Sequence, residues 1–531
     1  MKQAVTLRIK PYIQPFEREL AFQEVRALAG TLPTPISDTP GNSRYEVSTS
    51  VSRDFLAERL AYWEMAEDLN GSRLTQQSLR ESTVNLVRNG ILLTELRAQL
   101  PFASEVPLPN RRCLRYGTHG VHEYRGKFFP QLVRSLINIS GAEPGGVVAD
   151  PMSGSGTTVV EAVLAGYVGR GLDINPMSVM LGQIKSQLLS ADGIALTDSY
   201  QALRAALTAA EPRKRTLDYF ETLPTEDQEY LSNWFSKDVL HGLDDISQAI
   251  STLKYSQGIG IARVALSNII RNVSWQKNDD LRVRKEIRLD IEIDPKKKFL
   301  EELGRSIRAV LALLYQNGEL RSPSFEILEG DARRCSHFWG NNSVDVIITS
   351  PPYATALPYL DTDRLSLCYL GLLPRPEHRS RDQKMIGNRE VTEGQRKAYW
   401  SRYMTDGPSL PRSITTLIDS IQSLNSGTTA GFRRLNLPCL LSKYFFDMKE
   451  VLQGMKDALK PGCMAFVVVG NNHTIAGGQR VEIQTAALLQ EIAKNIGFEV
   501  AKSLPMEMLV SRDIFKKNAM ASEEILVFRK K

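Results

Sequence analysis

Residues 344–353 join a short apolar run to a stiff polar loop that could hold a reacting group. The run Val344–Ile348 is rich in β-branched residues, which predicts a buried strand. The loop that follows consists of Thr349, Ser350, Pro351, Pro352 and Tyr353. Each proline fixes φ near about −65° and removes an N–H donor, so the backbone that leaves the strand is rigid. Open α/β sheets bind their ligands at this end of a strand.

This loop suits the alkylation of an exocyclic amino group on a nucleobase. Such an amine is a poor nucleophile because its lone pair is delocalised into the ring, so acceptors must be held against its hydrogens. The Ser350 hydroxyl and a carbonyl of Pro351 or Pro352 could be those acceptors. Tyr353 could stack on the base. An ordinary turn after a strand is the less favoured alternative for this stretch.

A second strand enters a loop of small residues. Val147–Asp150 is apolar up to its acid, and the glycine-containing loop Asp150–Gly156 leads into a helical pattern that ends at Gly166. Glycines let the backbone approach a ligand closely, and a helix start offers unpaired N–H groups. Asp173 follows at about the 20-residue spacing where a carboxylate meets a ribose hydroxyl. No Gly-Lys-Ser/Thr follows the loop, which argues against phosphate transfer.

Both stretches resemble motifs of amino-directed DNA methyltransferases. Thr349–Tyr353, Thr-Ser-Pro-Pro-Tyr, is similar to their catalytic motif. The second residue of this motif is serine in this chain, which is typical of the enzymes that methylate cytosine at N4. Asp or Asn at the same place is typical of the enzymes that methylate adenine at N6. Asp150–Thr158, Asp-Pro-Met-Ser-Gly-Ser-Gly-Thr-Thr, resembles their S-adenosylmethionine loop. The resemblance covers roughly residues 111–190, 320–371 and 441–531.

The resemblance implies S-adenosylmethionine as cofactor and assigns roles to individual residues. The catalytic residues are expected to be Ser350, Pro351, Pro352 and Tyr353. The residues expected to bind the cofactor are Lys127, Phe128, Phe129, Pro130, Asp150, Met152, Ser153, Gly154, Ser155, Gly156, Thr157, Asp173, Asp331 and Thr349. In the family, the segment around Phe128 lines the methionine end of the cofactor, and an acid at the place of Asp331 contacts its adenine. A helix entry with a hydrophobic staple would explain Phe128 and its neighbours equally well.

The fold class expected from these motifs is α/β. It is a doubly wound, Rossmann-like methyltransferase sheet with a mainly helical N-terminal region and two insertions. The cofactor and catalytic loops should share one carboxyl edge. Several cytosine-N4 enzymes with this style of cofactor loop carry the catalytic half first, so the motif order here is permuted.

Six segments are predicted along the chain. They are a mainly helical N-terminal region (1–110), the cofactor half of the core (111–190), a helical insertion (191–320), the catalytic loop (321–371), a basic, loop-rich insertion (372–440) and the distal half of the core (441–531). The first segment could contact DNA or a partner, or be a scaffold packed on the core. Segment 372–440 is the leading candidate for target recognition. Segment 191–320 is a second candidate, although its charge run at 277–298 is nearly balanced and favours a solvated face.

The composition indicates which partners, cross-links and cellular location are compatible with the chain. A net charge of +6 and a pI of about 8.9 are compatible with a polyanionic partner. The five cysteines show no CxxC spacing, and His119 and His122 lack a nearby third ligand, so neither a disulfide framework nor a metal site is expected. No apolar run is long enough to span a membrane and no signal peptide is evident, so a cytoplasmic protein is expected.

The function expected from the motifs is methyl transfer from S-adenosylmethionine to the N4 amino group of cytosine in double-stranded DNA, by base flipping. Its setting would be restriction-modification or phage defence, with restriction or defence-complex proteins as candidate partners. Three alternatives remain open: an adenine-N6 methyltransferase, an RNA base methyltransferase and a cofactor-binding subunit of a defence complex. Methylation at carbon-5 of cytosine is not expected, because no cysteine follows Pro351-Pro352 directly.

Overall fold

The computed structural model describes most of the 531 residues. The described ranges are 2–39, 41–88, 108–124, 129–209, 216–277, 284–287, 293–317, 322–354, 359–389, 391–426, 431–501, 503–507 and 522–531. Its elements form an N-terminal unit, a central sheet with its helices, and two helical insertions.

The N-terminal unit contains a five-stranded antiparallel sheet with the strand order β2-β3-β1-β4-β5. Its elements are β1 (Gln3–Ile9), α1 (Pro15–Ala29), β2 (Thr34–Thr39), β3 (Asn42–Thr49), α2 (Arg53–Arg59), β4 (Trp63–Asp68), β5 (Gly71–Leu74) and α3 (Gln76–Arg88). The prediction of a mainly helical region is therefore wrong, because it missed this sheet.

The missed strands are short, and one of them was merged with a helix. The sequence has a helical pattern around Asp54–Glu67, which contributes to the prediction of a mainly helical region. In the structure α2 ends at Arg59, and β4 begins at Trp63. The apolar run Leu60–Trp63 does not show by periodicity alone whether it is helical or extended. In β1, the alternation of buried Val5, Leu7 and Ile9 is the period-two pattern of a strand with one buried face.

The second sheet has eight strands and forms the centre of the molecule. Its strands are β6 (Val147–Asp150), β7 (Val168–Asp173), β8 (Phe325–Glu329), β9 (Val344–Thr349), β10 (Leu459–Gly470), β13 (Phe498–Val500), β14 (Leu504–Glu507) and β15 (Ser522–Lys530), and a separate hairpin joins β11 (Asn472–Ala476) to β12 (Gln479–Ile483). The order is β13-β15-β10-β9-β6-β7-β8, with β14 also on β15. The strands from β10 to β8 in this order are mutually parallel, and β15 runs antiparallel to its neighbours. The expected doubly wound α/β fold is confirmed.

The helices between these strands are as follows: α4 (Pro130–Ser140), α5 (Thr157–Leu164), α6 (Pro176–Gln187), α7 (Gly193–Thr208), α8 (Thr225–Ser232), α9 (Lys237–Ser251), α10 (Ser256–Val273), α11 (Pro295–Asn317), α12 (Cys335–Trp339), α13 (Tyr359–Tyr369), α14 (His378–Lys384), α15 (Glu393–Asp406), α16 (Arg412–Asn425), α17 (Phe432–Ala458) and α18 (Thr485–Asn495). The described part of segment 191–320 contains the five helices α7 to α11.

Segment 372–440 is also helical where described, which corrects the prediction that it is rich in loops. It contains α14, α15, α16 and the start of α17. Its prolines were interpreted as loop residues, but Pro408 lies in the first turn of a short 3₁₀ helix and Pro411 is the N-cap of α16. Proline is well tolerated at such positions because the first N–H groups of a helix have no partner within it. Pro438 lies inside α17.

Strand β6 is the point in the sheet from which later strands are added in both directions. This strand has β7 on one side and β9 on the other. Strand order therefore reverses between β6 and β9, and an open α/β sheet has its ligand crevice at such a point, beyond the carboxyl ends of the strands. The two loops singled out in the sequence, after β6 and after β9, both begin at this crevice.

The N-terminal unit covers one face of the central sheet. Its buried residues Val5 and Leu20 belong to the same apolar cluster as Val346 and Ile348 of β9 and Phe466 of β10. Ile347 belongs to the opposite cluster. Both faces of β9 are thus buried, which explains the apolar run Val346–Ile348 within it. Of the two alternatives for the N-terminal region, a scaffold packed on the core is the one that this shared cluster supports.

We expect Trp63→Ala to destabilise the N-terminal unit and the central sheet together, by about 3–5 kcal/mol. Trp63 is fully buried, its ring lies 5.6 Å from that of Tyr45, and its Nε1 donates to the Ala21 carbonyl at 3.1 Å. Leu32→Ala is the control, because Leu32 is 55% exposed and its loss should cost less than about 0.5 kcal/mol. Denaturant unfolding measures both variants. An early transition confined to the N-terminal unit in Trp63→Ala would contradict the shared core.

Candidate active site

The loop after β9 is held from three directions. The Asn472 Nδ2 donates to the Ala354 carbonyl at 2.8 Å, and the Tyr353 hydroxyl donates to Glu523 Oε1. Gly387, at φ +74°, lies so close that an added Cβ would be 3.0 Å from the Tyr353 carbonyl oxygen. Ser350 is half-buried and its hydroxyl has no hydrogen-bond partner within the described ranges. The loop is thus fixed by its neighbours while its serine stays available.

The loop after β6 is held by two acids and the neighbouring strand. Asp150 Oδ1 accepts a hydrogen bond from the Met152 backbone N–H at 3.0 Å. Asp173 Oδ2 accepts from the Gly154 N–H at 2.8 Å. The Ser153 N–H donates to the Leu172 carbonyl at 2.8 Å. The acid at the end of β7 therefore shapes the glycine loop directly.

Gly156 allows this loop to lie against helix α6. Its φ is +82°, and an added Cβ would lie 2.8 Å from the Gly182 Cα. Such a separation is shorter than carbon atoms tolerate, so only glycine fits without a shift of the backbone. Gly156 is also the residue before α5, so the close approach fixes where that helix starts.

Thr158 connects the two loops. Its Oγ1 lies 2.9 Å from Asp150 Oδ2 and 3.2 Å from the Ile348 carbonyl oxygen, and Thr158 is fully buried. Strands β6 and β9 are paired at Val148–Val346. The ends of these two strands are therefore tied together both by the sheet and by a side chain. The structure brings the predicted cofactor loop and the predicted catalytic loop to one edge.

Burial raises the pKa of both acids of the site, Asp150 and Asp173. Burial raises the pKa of Asp150 to about 6, against the lowering effect of its interactions with Thr349, Met152 and Thr158. Burial likewise raises the pKa of Asp173 to about 6, against hydrogen bonds that include that from the Gly154 backbone. Perturbed carboxyls in a crevice are typical of functional sites.

The residues of this edge leave polar groups for a ligand. Within the described ranges, the buried hydroxyls of Ser153 and Ser155 have no hydrogen-bond partner. Buried polar groups are normally paired, because an unpaired one costs about 1–3 kcal/mol. Asp173 is half-buried beside them. A polar small molecule with hydroxyl and amino groups fits such a donor and acceptor set.

Several predicted cofactor residues lie outside the two loops. Lys127 and Phe128 lie outside the described residues. Phe129 is the N-cap residue of α4, with the Arg112 guanidinium 4.7 Å from its ring centroid. Asp331 follows Gly330 just after β8, as predicted from the sequence order. Its Oδ2 accepts a hydrogen bond from Arg333 Nη2 at 2.6 Å, so the carboxylate already has a partner within the chain.

The remaining predicted cofactor residues lie in or beside the two loops, or at the start of α4. They are Pro130 in the first turn of α4, Met152 after β6, Thr157 at the start of α5 and Thr349 at the end of β9. Their roles stay predictions.

His119 pairs with a buried acid. Glu161 Oε1 accepts from the Tyr116 hydroxyl at 2.7 Å and lies 2.8 Å from His119 Nε2. Burial acts to raise the pKa of Glu161, but the hydrogen bond and charge of His119 outweigh it and the pKa is lowered. The described part of the chain contains no cluster of three His, Cys, Asp or Glu suited to a metal ion. It also contains no helix long and apolar enough to cross a membrane.

Two residues of the site were missed from the sequence: Asn472 and Glu523. Both bond the catalytic loop, yet they lie 118 and 170 positions from their partners in the chain. The pair Asn471-Asn472 directly after β10 was the one available signal, because polar residues at the carboxyl end of a core strand face the crevice.

Comparison with known proteins finds methyltransferases. The UPF0020 family model, described as an RMKL-like methyltransferase domain, matches residues 121–175. Type II methyltransferase M.BsoBI of Geobacillus stearothermophilus is 24% identical over 74% of this chain and 82% of its own length. Type II methyltransferase M.MvaI of Kocuria varians is 22% identical over 71% and 81%. The chain is similar to type II methyltransferases. These matches support the DNA methyltransferase relationship that the motifs predicted, without distinguishing the N4 from the N6 group.

Solved structures with related folds are more distant. TrmN from Thermus thermophilus is 11% identical with a TM-score of 0.33, over 100% of each chain. TTHA0409, also from Thermus thermophilus and solved in complex with S-adenosyl-L-methionine, is 17% identical with a TM-score of 0.20, over 38% of this chain and 53% of that one. At these scores neither structure informs the assignment of residues.

Proposed function

We propose that this chain transfers a methyl group from S-adenosylmethionine to the N4 amino group of cytosine in double-stranded DNA. The proposed setting is restriction-modification or phage defence in the cytoplasm. The observation that carries the proposal is the joining of the two loops by Thr158, which lies within 3.2 Å of both Asp150 and the Ile348 carbonyl. With the cofactor loop and the amine-orienting loop on one edge of the sheet, the methyl donor and the target amine would be bound next to each other.

The cofactor is S-adenosylmethionine, which supplies an electrophilic methyl group when bound. Asp173 has lone pairs left after accepting from Gly154 and Asn175, and would accept ribose hydroxyls. The hydroxyls of Ser153 and Ser155, which have no partner among the described residues, would bond polar atoms of the same ligand. Asp331 would contact the adenine from its side chain, which is 31% exposed although it pairs with Arg333.

The catalytic loop would orient the target amine. Ser350 Oγ and a carbonyl of Pro351 or Pro352 accept the two amino hydrogens, which draws the nitrogen lone pair out of the ring. Tyr353 stacks on the base after its extrusion from the duplex, which costs a few kcal/mol. Alignment of nitrogen, methyl carbon and sulfur then supplies most of the rate, without a strong general base. The serine favours cytosine over adenine through the family resemblance.

The surface beside α10 is the better supported candidate for contact with DNA. Residues 275–277 and 284–287 run antiparallel at the end of that helix. Exposed Lys285 lies with its Nζ 5.1 Å from the centroid of the Trp275 ring. Helix α10 is bonded through Ser366 to α13, which follows the catalytic loop. A basic and an aromatic group at the end of a helix that contacts α13 support this surface as a candidate for contact with DNA.

Segment 372–440 loses part of its expected basic surface to contacts within the chain. The Arg375 guanidinium lies 4.7 Å from the Tyr230 ring centroid, and Arg381 donates to the Ile174 carbonyl at 2.7 Å. Arg375 thus docks the segment on the helical insertion, and Arg381 docks it on the cofactor half of the core. Target recognition by this segment remains a proposal, and Arg379 and Lys384 of the same segment are exposed and could reach DNA.

We expect the dissociation constant for S-adenosylmethionine to fall about tenfold as pH rises from about 5 to 7.5. Asp150 and Asp173, with pKa values raised to about 6, become ionised in that window. A carboxylate is the stronger hydrogen-bond acceptor and attracts the cationic cofactor. For the unliganded protein the sign is opposite: the stability that each raised pKa contributes is full below about pH 4 and is lost as pH rises through about 6.

Titration calorimetry of the wild type and Asp173→Asn measures this effect. The variant should bind more weakly and with a shallower dependence on pH, because one of the two titrating groups is gone. A wild-type dissociation constant that stays constant between about pH 5 and 7.5 would contradict the role of these acids.

The class of nucleic acid is tested by label transfer from methyl-labelled S-adenosylmethionine. The protein is incubated with duplex DNA of mixed sequence and, separately, with total RNA. Label in DNA alone supports the proposal, and label in RNA alone overturns it in favour of the RNA alternative. Binding of the cofactor with no label in either polymer points to the alternative that the chain is a cofactor-binding subunit of a defence complex.

A further inference from the structure

We propose that Glu523 is a positioning residue for the reaction, which holds the Tyr353 ring where the extruded base stacks. The inference rests on the proposed function and names a residue outside the motif. Its basis is the hydrogen bond from the Tyr353 hydroxyl to Glu523 Oε1. Glu523 belongs to neither of the two motifs that carry the family resemblance, Asp150–Thr158 and Thr349–Tyr353.

The direction of β15 explains why the last strand can reach the catalytic loop. Its neighbour β10 is parallel to β9, whereas β15 is antiparallel to β10. The start of β15 therefore lies at the edge where β9 and β10 end. Glu523 is paired with Gly470, the final residue of β10, and with Met506 of β14. This backbone pairing on both sides fixes the position of the carboxylate.

The surroundings of Glu523 make its carboxylate a firm partner. It is half-buried, and burial raises its pKa while the hydrogen bond from Tyr353 lowers it. A hydrogen bond to a carboxylate is stronger than one between neutral groups. A tyrosine side chain has two torsions that must be fixed before its ring can serve as a stacking surface. Anchoring the hydroxyl at one end of the ring fixes both before the base arrives.

The next residue along the strand provides a matched control. Glu524 is also half-buried at the start of β15, but its Oε1 accepts from Asn471 Nδ2 at 3.0 Å and its Oε2 from Ser503 Oγ at 3.1 Å. Both of its oxygens are thus engaged by residues outside the catalytic loop. Removal of Glu524 takes one carboxylate from the same strand end and leaves the bond between Tyr353 and Glu523 in place.

The test is a double-mutant cycle on single-turnover label transfer to duplex DNA. Glu523→Ala and Tyr353→Phe should each lower the rate about tenfold, and the double variant should be no slower than either. Glu523→Gln keeps an acceptor oxygen and should recover to within about threefold of the wild type. Cofactor affinity should stay unchanged in all four proteins, because the bond lies in the catalytic loop.

Each outcome decides the inference. Additive losses in the double variant, a loss in Glu524→Ala equal to that in Glu523→Ala, or a wild-type rate in Glu523→Ala would overturn it while the proposed function stands. A folded wild type that transfers no label to DNA overturns both. Non-additive losses with recovery in Glu523→Gln support the positioning role, because a residue needed only for folding would not be rescued through one acceptor.

Discussion

Replacement of Ser350 by alanine is expected to lower the rate of methyl transfer by about 100-fold while cofactor binding is retained. Loss of one preorganised hydrogen-bond partner in an active site typically costs about 10²–10³ in turnover. Ser350 is half-buried and bonds no described residue, so its removal leaves no orphaned group. The free energy of unfolding should therefore change by less than about 0.5 kcal/mol.

The control for this variant is Ser343→Ala, just before the other end of β9. The Ser343 hydroxyl donates to the Gly340 carbonyl at 3.0 Å, away from the carboxyl edge. We expect its rate to stay within about twofold of the wild type. The measurement is the single-turnover rate with saturating labelled cofactor, together with calorimetric cofactor binding. A normal rate in Ser350→Ala would remove the serine from the mechanism.

Gly156→Ala should weaken binding of S-adenosylmethionine by at least about tenfold, a loss of about 1.4 kcal/mol. The added Cβ would lie 2.8 Å from the Gly182 Cα, so the loop or α6 must move. Movement of the loop would shift the hydroxyls of Ser153 and Ser155 and the backbone bond from Gly154 to Asp173. All three groups belong to the proposed cofactor site.

Gly166→Ala separates this steric effect from the cost of the backbone conformation. Gly166 has φ +80°, almost that of Gly156 at +82°, but no atom lies within 4 Å of its added Cβ. In both variants alanine in a left-handed conformation costs about 1 kcal/mol. Gly156→Ala alone should lose cofactor affinity. Equal affinities in the two variants would show that the approach of the loop to α6 does not shape the site.

The two loops could be predicted from the sequence because their information is local. Strand β9 is buried on both faces, which gives the apolar run Val346–Ile348 shortly before Ser350. Strand β6 is apolar as far as Asp150, where its loop begins. Prolines and glycines then mark the end of each strand with a specific backbone requirement. That both loops meet at one edge followed from the general rule for parallel sheets, and the pairing of β6 with β9 bears it out.

The parts that were missed depend on contacts between distant positions. Strands β1 and β4 of the N-terminal sheet pair across Thr6–Glu67, and their short patterns compete with a helical interpretation. Segment 372–440 was expected to be loops because its prolines lie at helix starts, where proline is tolerated. The partner of Tyr353 became visible only once β15 was placed antiparallel to β10.

The most direct test of the central claim is mass spectrometry of nucleosides from duplex DNA incubated with the protein and methyl-labelled S-adenosylmethionine. The account predicts a labelled N4-methylcytosine peak that disappears in Ser350→Ala. A labelled N6-methyladenine peak would keep the site and contradict the base. Absence of label from every DNA nucleoside, with a folded protein that binds the cofactor, would contradict DNA methylation by this chain.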